Sequence, residues 1–549
     1  MAGVGKADVA VGRSTVYSKG GIVCSISPVA ATAGARVLAE GGNAFDAAVA
    51  TAAVECVTVP AACGVGGEPF VLMYEAASGR LMGLSGSGKA PLAVSRDYFV
   101  GKGYSKMPIA GPLSAAIPGE VDAWAGILER LGTRQLSTLL EPAIGYAEDG
   151  YALSARQARA FQFLGAKLND YPDTAKTFTK NGMPFEAGDV LVQKDLARTL
   201  RRIARDGADE LYRGETGQEL VRALQAAGSP YTFEELGQHR TDWYEPAIST
   251  TYRGYTVYQT APPSQGLILL EMLNILEGED LTGMGFYTPD TVHAMVEAKK
   301  LAFADRNAYM RDPAFAPIPL DELISKPFAE RRRSLIDMSR VATNVERGPL
   351  AAPVPGDGDT SYFCVIDGDG NAVSFIHSLS HGFGSGFVAG GTGILLNNRL
   401  GRGFSLVDGH PNVFEPGKRT MHTLNAYMVV RDGELSMVGG TPGGDRQVQW
   451  NAQVIANVID HGMDAQQAVE APRWTHTPGT DPATIDDPFV LQVEPGMDGS
   501  ELAELEAKGH DVTLEGPPGG SAKLIMVDPA SGVRTAGSDP RTDGHAVAV

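Results

Sequence analysis

Basic residues are scarce in this 549-residue chain: 46 Lys and Arg stand against 65 Asp and Glu, a formal charge of -19. Phosphate backbones call for a basic face, so the balance argues against a nucleic-acid partner. The densest basic run, Arg331, Arg332 and Arg333, reads as a solvated helix face. Cysteine is nearly missing as well. Cys24, Cys56, Cys63 and Cys364 show no CxxC spacing, which argues against a metal ribbon or a thioredoxin-like site. No apolar run is long enough to span a bilayer, so no membrane partner is expected. The opening MAGVGKADVAVGRSTVYSKG lacks the charged, apolar and small-residue order of an export signal, and the expectation is a reducing, cytoplasmic setting. No fixed-period repeat supports a solenoid or propeller. His377 and His381 stand four residues apart, but in a strand-to-glycine stretch and with no HExxH helix, so no metal is expected. No G-x-S-x-G elbow stands between a strand and a helix, and GFGSGF is flanked by glycine-rich loop.

What is present is ordinary globular material, 43% hydrophobic and 20% charged, with 67 Gly and 34 Pro. Residues 28–59 form two Ala-rich helical stretches broken at Gly41 and Gly42, whose small side chains imply close helix packing. A turn of Gly64, Gly66 and Gly67 leads into FVLMYEAASGRLMGLSG, two strand-like runs around a Ser-Gly turn. The middle, about 118–350, reads as helical throughout. Residues 351–359, AAPVPGDGD, have no periodicity and read as an exposed, cleavable linker. Directly after it, SYFCVIDGDGNAVSFIHS reads as a hairpin, which places Thr360 at the start of a strand. Further on, AYMVVRDGELSMVGG carries strand signals and RQVQWNAQVIANVIDHG a helix.

Three blocks follow one another with little insertion: DTSYFCVIDGDGNAVSFIHS, FGSGFVAGGTGILLNN and GGTPGGD. With HPNVFEPGKR, APRW and GSDPRTDGHA they resemble the small subunit of the gamma-glutamyltransferases. SKGGIV, GGNAFDAAVA, GVGG, PPSQG and EAKKLAFADR resemble that family's large subunit. The resemblance implies an α+β fold, the four-layer αββα sandwich of N-terminal nucleophile (Ntn) hydrolases. It implies a large subunit of residues 1–359 and a small subunit of 360–549 that stay associated after self-cleavage between Asp359 and Thr360. Thr360 would then be the nucleophile, its freed α-amine the base, and Gly443 and Gly444 the oxyanion donors. Ser378 falls where the family has a second threonine that hydrogen-bonds the amine; Ser361 follows the nucleophile where threonine is common and is expected to help position the new terminus, and Ser380 stands where the transpeptidases that act on glutathione carry an asparagine, on the substrate-binding side. No cofactor is implied, and the partner is a small-molecule amide.

Substrate recognition is where the chain departs from the family. The family's large-subunit arginine position is Ser87, with Lys89 two residues on; its serine pair is His422 and Thr423; after Asn397 and Asn398 comes Arg399 in place of an amide. A guanidinium there disfavours the α-ammonium of a gamma-glutamyl group. Arg399 is expected either to grip a carboxylate on the acyl group or to pair with a neighbouring carboxylate. In these residues the chain resembles the cephalosporin (glutaryl) acylase and oxamate amidohydrolase branches. The short stretch from Phe404 to Arg419 points to hydrolysis over transfer. Two other readings stay open: a true gamma-glutamyltransferase or glutathione hydrolase, and an uncleaved binding protein without catalysis.

Overall fold

The computed structural model describes residues 9–343, 345, 359–478, 488–514 and 520–549. Residues 351–358 of the expected linker lie outside the described residues. At the centre are two seven-stranded sheets, each antiparallel throughout. The first runs Val16–Ser18, Arg534–Ser538, Lys523–Val527, Glu434–Gly440, Tyr427–Arg431, Tyr255–Gln259 and Ile248–Tyr252. The second runs His545–Ala548, Ile22–Ser25, Asp359–Ile366, Ala372–Ser380, Glu68–Glu75, Arg80–Ser85 and Asp242–Tyr244. Both draw strands from either side of Thr360, so neither 1–359 nor 360–549 builds a whole sheet alone.

Cys24, Phe70, Leu72, Tyr362, Cys364, Met428, Val438 and Ile525 fill the layer between the sheets. Helices Pro28–Ala39, Ala44–Thr58, Glu120–Leu131, Leu136–Asp149 and Lys194–Asp206 cover the outer face of the second sheet. Gly266–Leu276, Pro289–Tyr309, Arg446–Ile459 and Ala465–Glu470 cover the first. The result is the expected four-layer αββα sandwich. Among the described residues no helix is long and apolar enough to cross a membrane.

The Ala-rich stretch behaves as its composition suggests. Asn43 caps helix Ala44–Thr58 by accepting from Phe45 N and Asp46 N, and Asp46 returns the bond to the Asn43 N–H, a capping box. All fifteen of its residues are buried, because alanine lets neighbouring backbones close in; a Cβ on Gly34 would fall 2.2 Å from Thr51 Oγ1. Two expectations need correction. The middle is not helical throughout: Ile248–Tyr252 and Tyr255–Gln259 form a hairpin at the edge of the first sheet, and Asp242–Tyr244 closes the second. The run from Arg331 to Arg333 is not one solvated face either, since Arg332 is buried with its Nε 2.8 Å from Asp305.

The two sheets approach closely where Tyr362 meets Gly440. Tyr362 is buried with its hydroxyl 2.7 Å from Ser374 Oγ, and a Cβ on Gly440 would stand 2.4 Å from the tyrosine ring. Gly440→Ala is therefore expected to overpack the interface and destabilise the protein by about 1–3 kcal/mol, read as a lower urea midpoint at unchanged slope. An unchanged midpoint contradicts this packing.

Candidate active site

Strand period two decides which residues share a face. On Asp359–Ile366, Tyr362, Cys364 and Ile366 point between the sheets, while Phe363 and Val365 point to the helical layer. On Ala372–Ser380, Ile376 points inward and Phe375 and Leu379 outward. Thr360 and Ser378 follow the inward set; Ser361 and His377 follow the outward one. The ladder is regular from Ser361↔His377 to Ile366↔Ala372 but shifts register between Asp359 and Ser361, so Ser378 and Leu379 bulge opposite the single residue Thr360.

Thr360 is 2% exposed, and its Oγ lies 3.4 Å from Ser378 Oγ. Ser378 Oγ also accepts from Ser380 N at 2.7 Å, which holds the end of that strand in a tight turn. Ser380 has φ +86°, a conformation rare for a side-chain-bearing residue, and its own hydroxyl finds no partner among the described residues. The structure thus brings together Thr360, Ser378 and Ser380 as the sequence predicts.

Beside them is a carboxylate that sequence reasoning missed. Glu68 follows the Gly64–Gly67 turn and pairs with Ser378 across the ladder, fully buried. Its Oε1 accepts from Arg399 Nε, and its Oε2 lies 3.4 Å from both His422 Nε2 and Gly88 N. Burial raises the Glu68 pKa above the ordinary carboxylate range despite the opposing pull of Arg399. Ser87 Oγ lies 2.7 Å from His422 Nε2. Burial first, then the charges of Arg399, Arg419 and Arg402, push His422 well below its ordinary pKa, so its ring is neutral. Of the two roles expected of Arg399, pairing with a neighbouring carboxylate is what its Nε does. Its Nη2 has no partner among the described residues, and the same holds for His422 Nδ1 and Thr423 Oγ1.

Lys89 is not brought into this cluster. It is exposed and lines a separate cleft of about 410 Å³ with Leu92, Glu235 and Arg240. The cation that reaches the Ser87 backbone is Arg419, whose Nε donates to Ser87 O at 2.9 Å. His377 and His381 also part company: His381 Nδ1 accepts from Asn398 Nδ2 at 3.0 Å on the loop side, whereas His377 is buried beneath the hairpin.

Gly443 and Gly444 form the turn between strand Glu434–Gly440 and helix Arg446–Ile459, with φ of +138° and +57°. Neither position tolerates a side chain easily, and a Cβ on Gly443 would meet the Trp450 ring at 2.4 Å. Among the described residues neither N–H has a protein acceptor. The turn is braced from below: Gln265 Nε2 donates to Gly444 O at 3.1 Å and to Thr423 O at 2.7 Å, and a buried Arg306–Asp445 ion pair at 2.6 Å follows it. Gln265 and Arg306 belong to the PPSQG and EAKKLAFADR segments, whose roles only the fold reveals.

On the outward face, the side chains of Ser361 and His377 meet Glu55 of helix Ala44–Thr58. Ser361 Oγ donates to Glu55 Oε2 at 2.6 Å, and His377 Nε2 lies 2.8 Å from the same oxygen. His377 Nδ1 lies 2.8 Å from Glu120 Oε1, which also accepts from Trp124 Nε1 at 3.1 Å. Burial works to lower the His377 pKa, but Cys63 and Glu120 outweigh it and raise the ring well above its ordinary value. An imidazolium satisfies both contacts, since both ring nitrogens face carboxylates.

A family model described as gamma-glutamyltranspeptidase matches residues 30–549. The chain is 41% identical over 534 residues to a glutathione hydrolase-like YwrD proenzyme of Bacillus subtilis (strain 168), covering 95% of this chain and 98% of that one. It is 34% identical to an oxamate amidohydrolase proenzyme of Klebsiella pneumoniae, covering 97% of this chain and 99% of that one. A crystal structure of cephalosporin acylase from Bacillus halodurans superimposes with a TM-score of 0.90 at 36% identity, covering 99% of this chain and 98% of that one. With an αββα sandwich, a threonine opposite a strand bulge and relatives of this kind, the chain belongs to the gamma-glutamyltranspeptidase family of Ntn hydrolases and is an enzyme.

Proposed function

We propose that the protein is an autoprocessing N-terminal threonine amidohydrolase whose acyl group bears a carboxylate and no α-ammonium. The observation that carries this reading is the Thr360 hydroxyl beside Ser378, next to buried polar atoms that no described protein group satisfies: Arg399 Nη2, His422 Nδ1, Thr423 Oγ1 and Ser380 Oγ. Each such atom costs about 1–3 kcal/mol when left unpaired, so a cluster of them suits a bound polar group. A guanidinium nitrogen with a neutral imidazole and hydroxyls matches a carboxylate. The acid nearest to these atoms among the described residues, Glu68, is already paired with Arg399 and is not vacant for an α-ammonium.

In the first step Thr360 Oγ attacks the Asp359 carbonyl. The C–N bond breaks as the nitrogen takes up a proton, and water hydrolyses the resulting ester, leaving fragments 1–359 and 360–549. Thr360 then carries a free α-amine, whose reference pKa of about 7.7–8.0 suits a base at neutral pH without further tuning. In turnover the amine takes the hydroxyl proton as Oγ attacks the substrate amide, and passes it to the departing amine. Water releases the acyl group. Gly443 and Gly444 N–H donate to the oxyanion, where convergent donors are worth most. Ser378 steadies the nucleophile and its amine.

Two results test this. Thr360→Ala is expected to run as one band of 57.8 kDa on a denaturing gel and to lose amidase activity, while the wild type runs as two fragments; normal cutting of the variant removes the assignment, and an uncut wild type favours a binding protein. For the acyl group, glutaryl-p-nitroanilide is expected to exceed gamma-glutamyl-p-nitroanilide in kcat/KM by about tenfold or more, the penalty for an ammonium facing guanidinium. Arg399→Lys keeps a cation for Glu68 and removes the second donor, and lowers kcat/KM on the glutaryl substrate by about tenfold. A preference for the gamma-glutamyl substrate identifies a glutathione hydrolase instead.

A further inference from the structure

We infer that Glu55, backed by His377 and Glu120, is the positioning group that holds Thr360 in register once the chain is cut, an inference that rests on Thr360 being the nucleophile. Three observations carry it. First, one buried carboxylate ties three adjacent strands together: Glu55 Oε1 accepts from Ser25 Oγ of Ile22–Ser25, while Oε2 meets Ser361 of Asp359–Ile366 and His377 of Ala372–Ser380. Ser361 and His377 are direct register partners, the last regular rung before the bulge. The ladder shifts register at that point, and the side-chain contacts fix the strands there.

Second, the contacts cross the proposed cut. Glu55, Glu120 and Ser25 belong to 1–359, whereas Ser361 and His377 belong to 360–549. Once the bond after Asp359 breaks, Thr360 becomes a chain terminus, and termini fray unless tied down. The second residue of the new chain is then held to the other fragment through a hydrogen bond to a charged group, the stronger kind. Third, the network faces away from the reaction: Ser361 and His377 point to the helical layer while Thr360 points between the sheets. His377 is fully occupied by its two carboxylates, so neither it nor Glu55 touches substrate. They act through the position of Thr360.

The test uses purified, processed protein and an amide that the wild type cleaves. Ser361→Ala removes one hydroxyl and leaves the core intact; it is expected to lower kcat about tenfold or more, the scale of a small displacement of a reacting group. KM and melting temperature stay within experimental range of wild type. Glu55→Gln is expected to act in the same direction, and Ser361→Thr, which restores the hydroxyl, to recover most of the rate. A Ser361→Ala kcat within twofold of wild type overturns the positioning role, as does a loss seen only in yield and melting. Thr360→Ala, assayed alongside, separates the failures. If it retains activity the nucleophile reading itself falls; if it is inactive while Ser361→Ala is unimpaired, only the positioning role falls.

Discussion

Everything at this site depends on the alternation of side chains along one hairpin. Strands Asp359–Ile366 and Ala372–Ser380 lie centrally in their sheet, with Ile22–Ser25 on one side and Glu68–Glu75 on the other. Period two sends Thr360 and Ser378 into the space between the sheets and sends Ser361 and His377 into the helical layer. A slip of one residue exchanges the two sets. It would carry the Thr360 hydroxyl out into the Glu55 network, and the His377 imidazolium in between the sheets beside Glu68. The buried rung Ser361↔His377, with both partners on Glu55, is what makes that slip expensive.

The pocket is assembled around that hairpin by pieces distant in the chain. Glu68 is placed by its ladder with Ser378 and organises Arg399 and His422 on its two oxygens. The Gly443–Gly444 turn is carried to the same end of the sandwich by strand Glu434–Gly440, whose last residue packs on Tyr362 two positions beyond Thr360. Gln265 then ties that turn to the Thr423 backbone. The Gly443–Gly444 turn, the Glu68 cluster and Thr360 are thus set by backbone close approaches and buried polar contacts.

Local signals made part of this legible in the sequence. The hairpin around Asp367 to Asn371, the strand pair after Gly67, the Ala-rich helices and the helix from Arg446 all follow from periodicity and turn residues, and the structure has them there. The hairpin Ile248–Tyr252 and Tyr255–Gln259 was hidden inside a stretch dominated by helices, although ISTTYRGYTVYQ is rich in β-branched and aromatic residues. The polar network was hidden for another reason: Glu55 and Ser361 are 306 residues apart, Glu68 and Arg399 331. No window sees such a pair. The single hint was a glutamate inside the apolar run AAVECVTV, a buried charge that demands a partner. Lys89 shows the converse, since proximity in sequence to Ser87 did not carry its side chain to the cluster.

In the proposed reaction the Thr360 hydroxyl forms the acyl-enzyme. Intact-mass and peptide mapping of the processed protein, quenched during turnover of a slowly released acyl substrate, test it most directly. A single acyl adduct is expected on the fragment that begins at Thr360, mapped to Thr360 itself. An adduct on another residue, or steady turnover with the label confined to fragment 1–359, contradicts it.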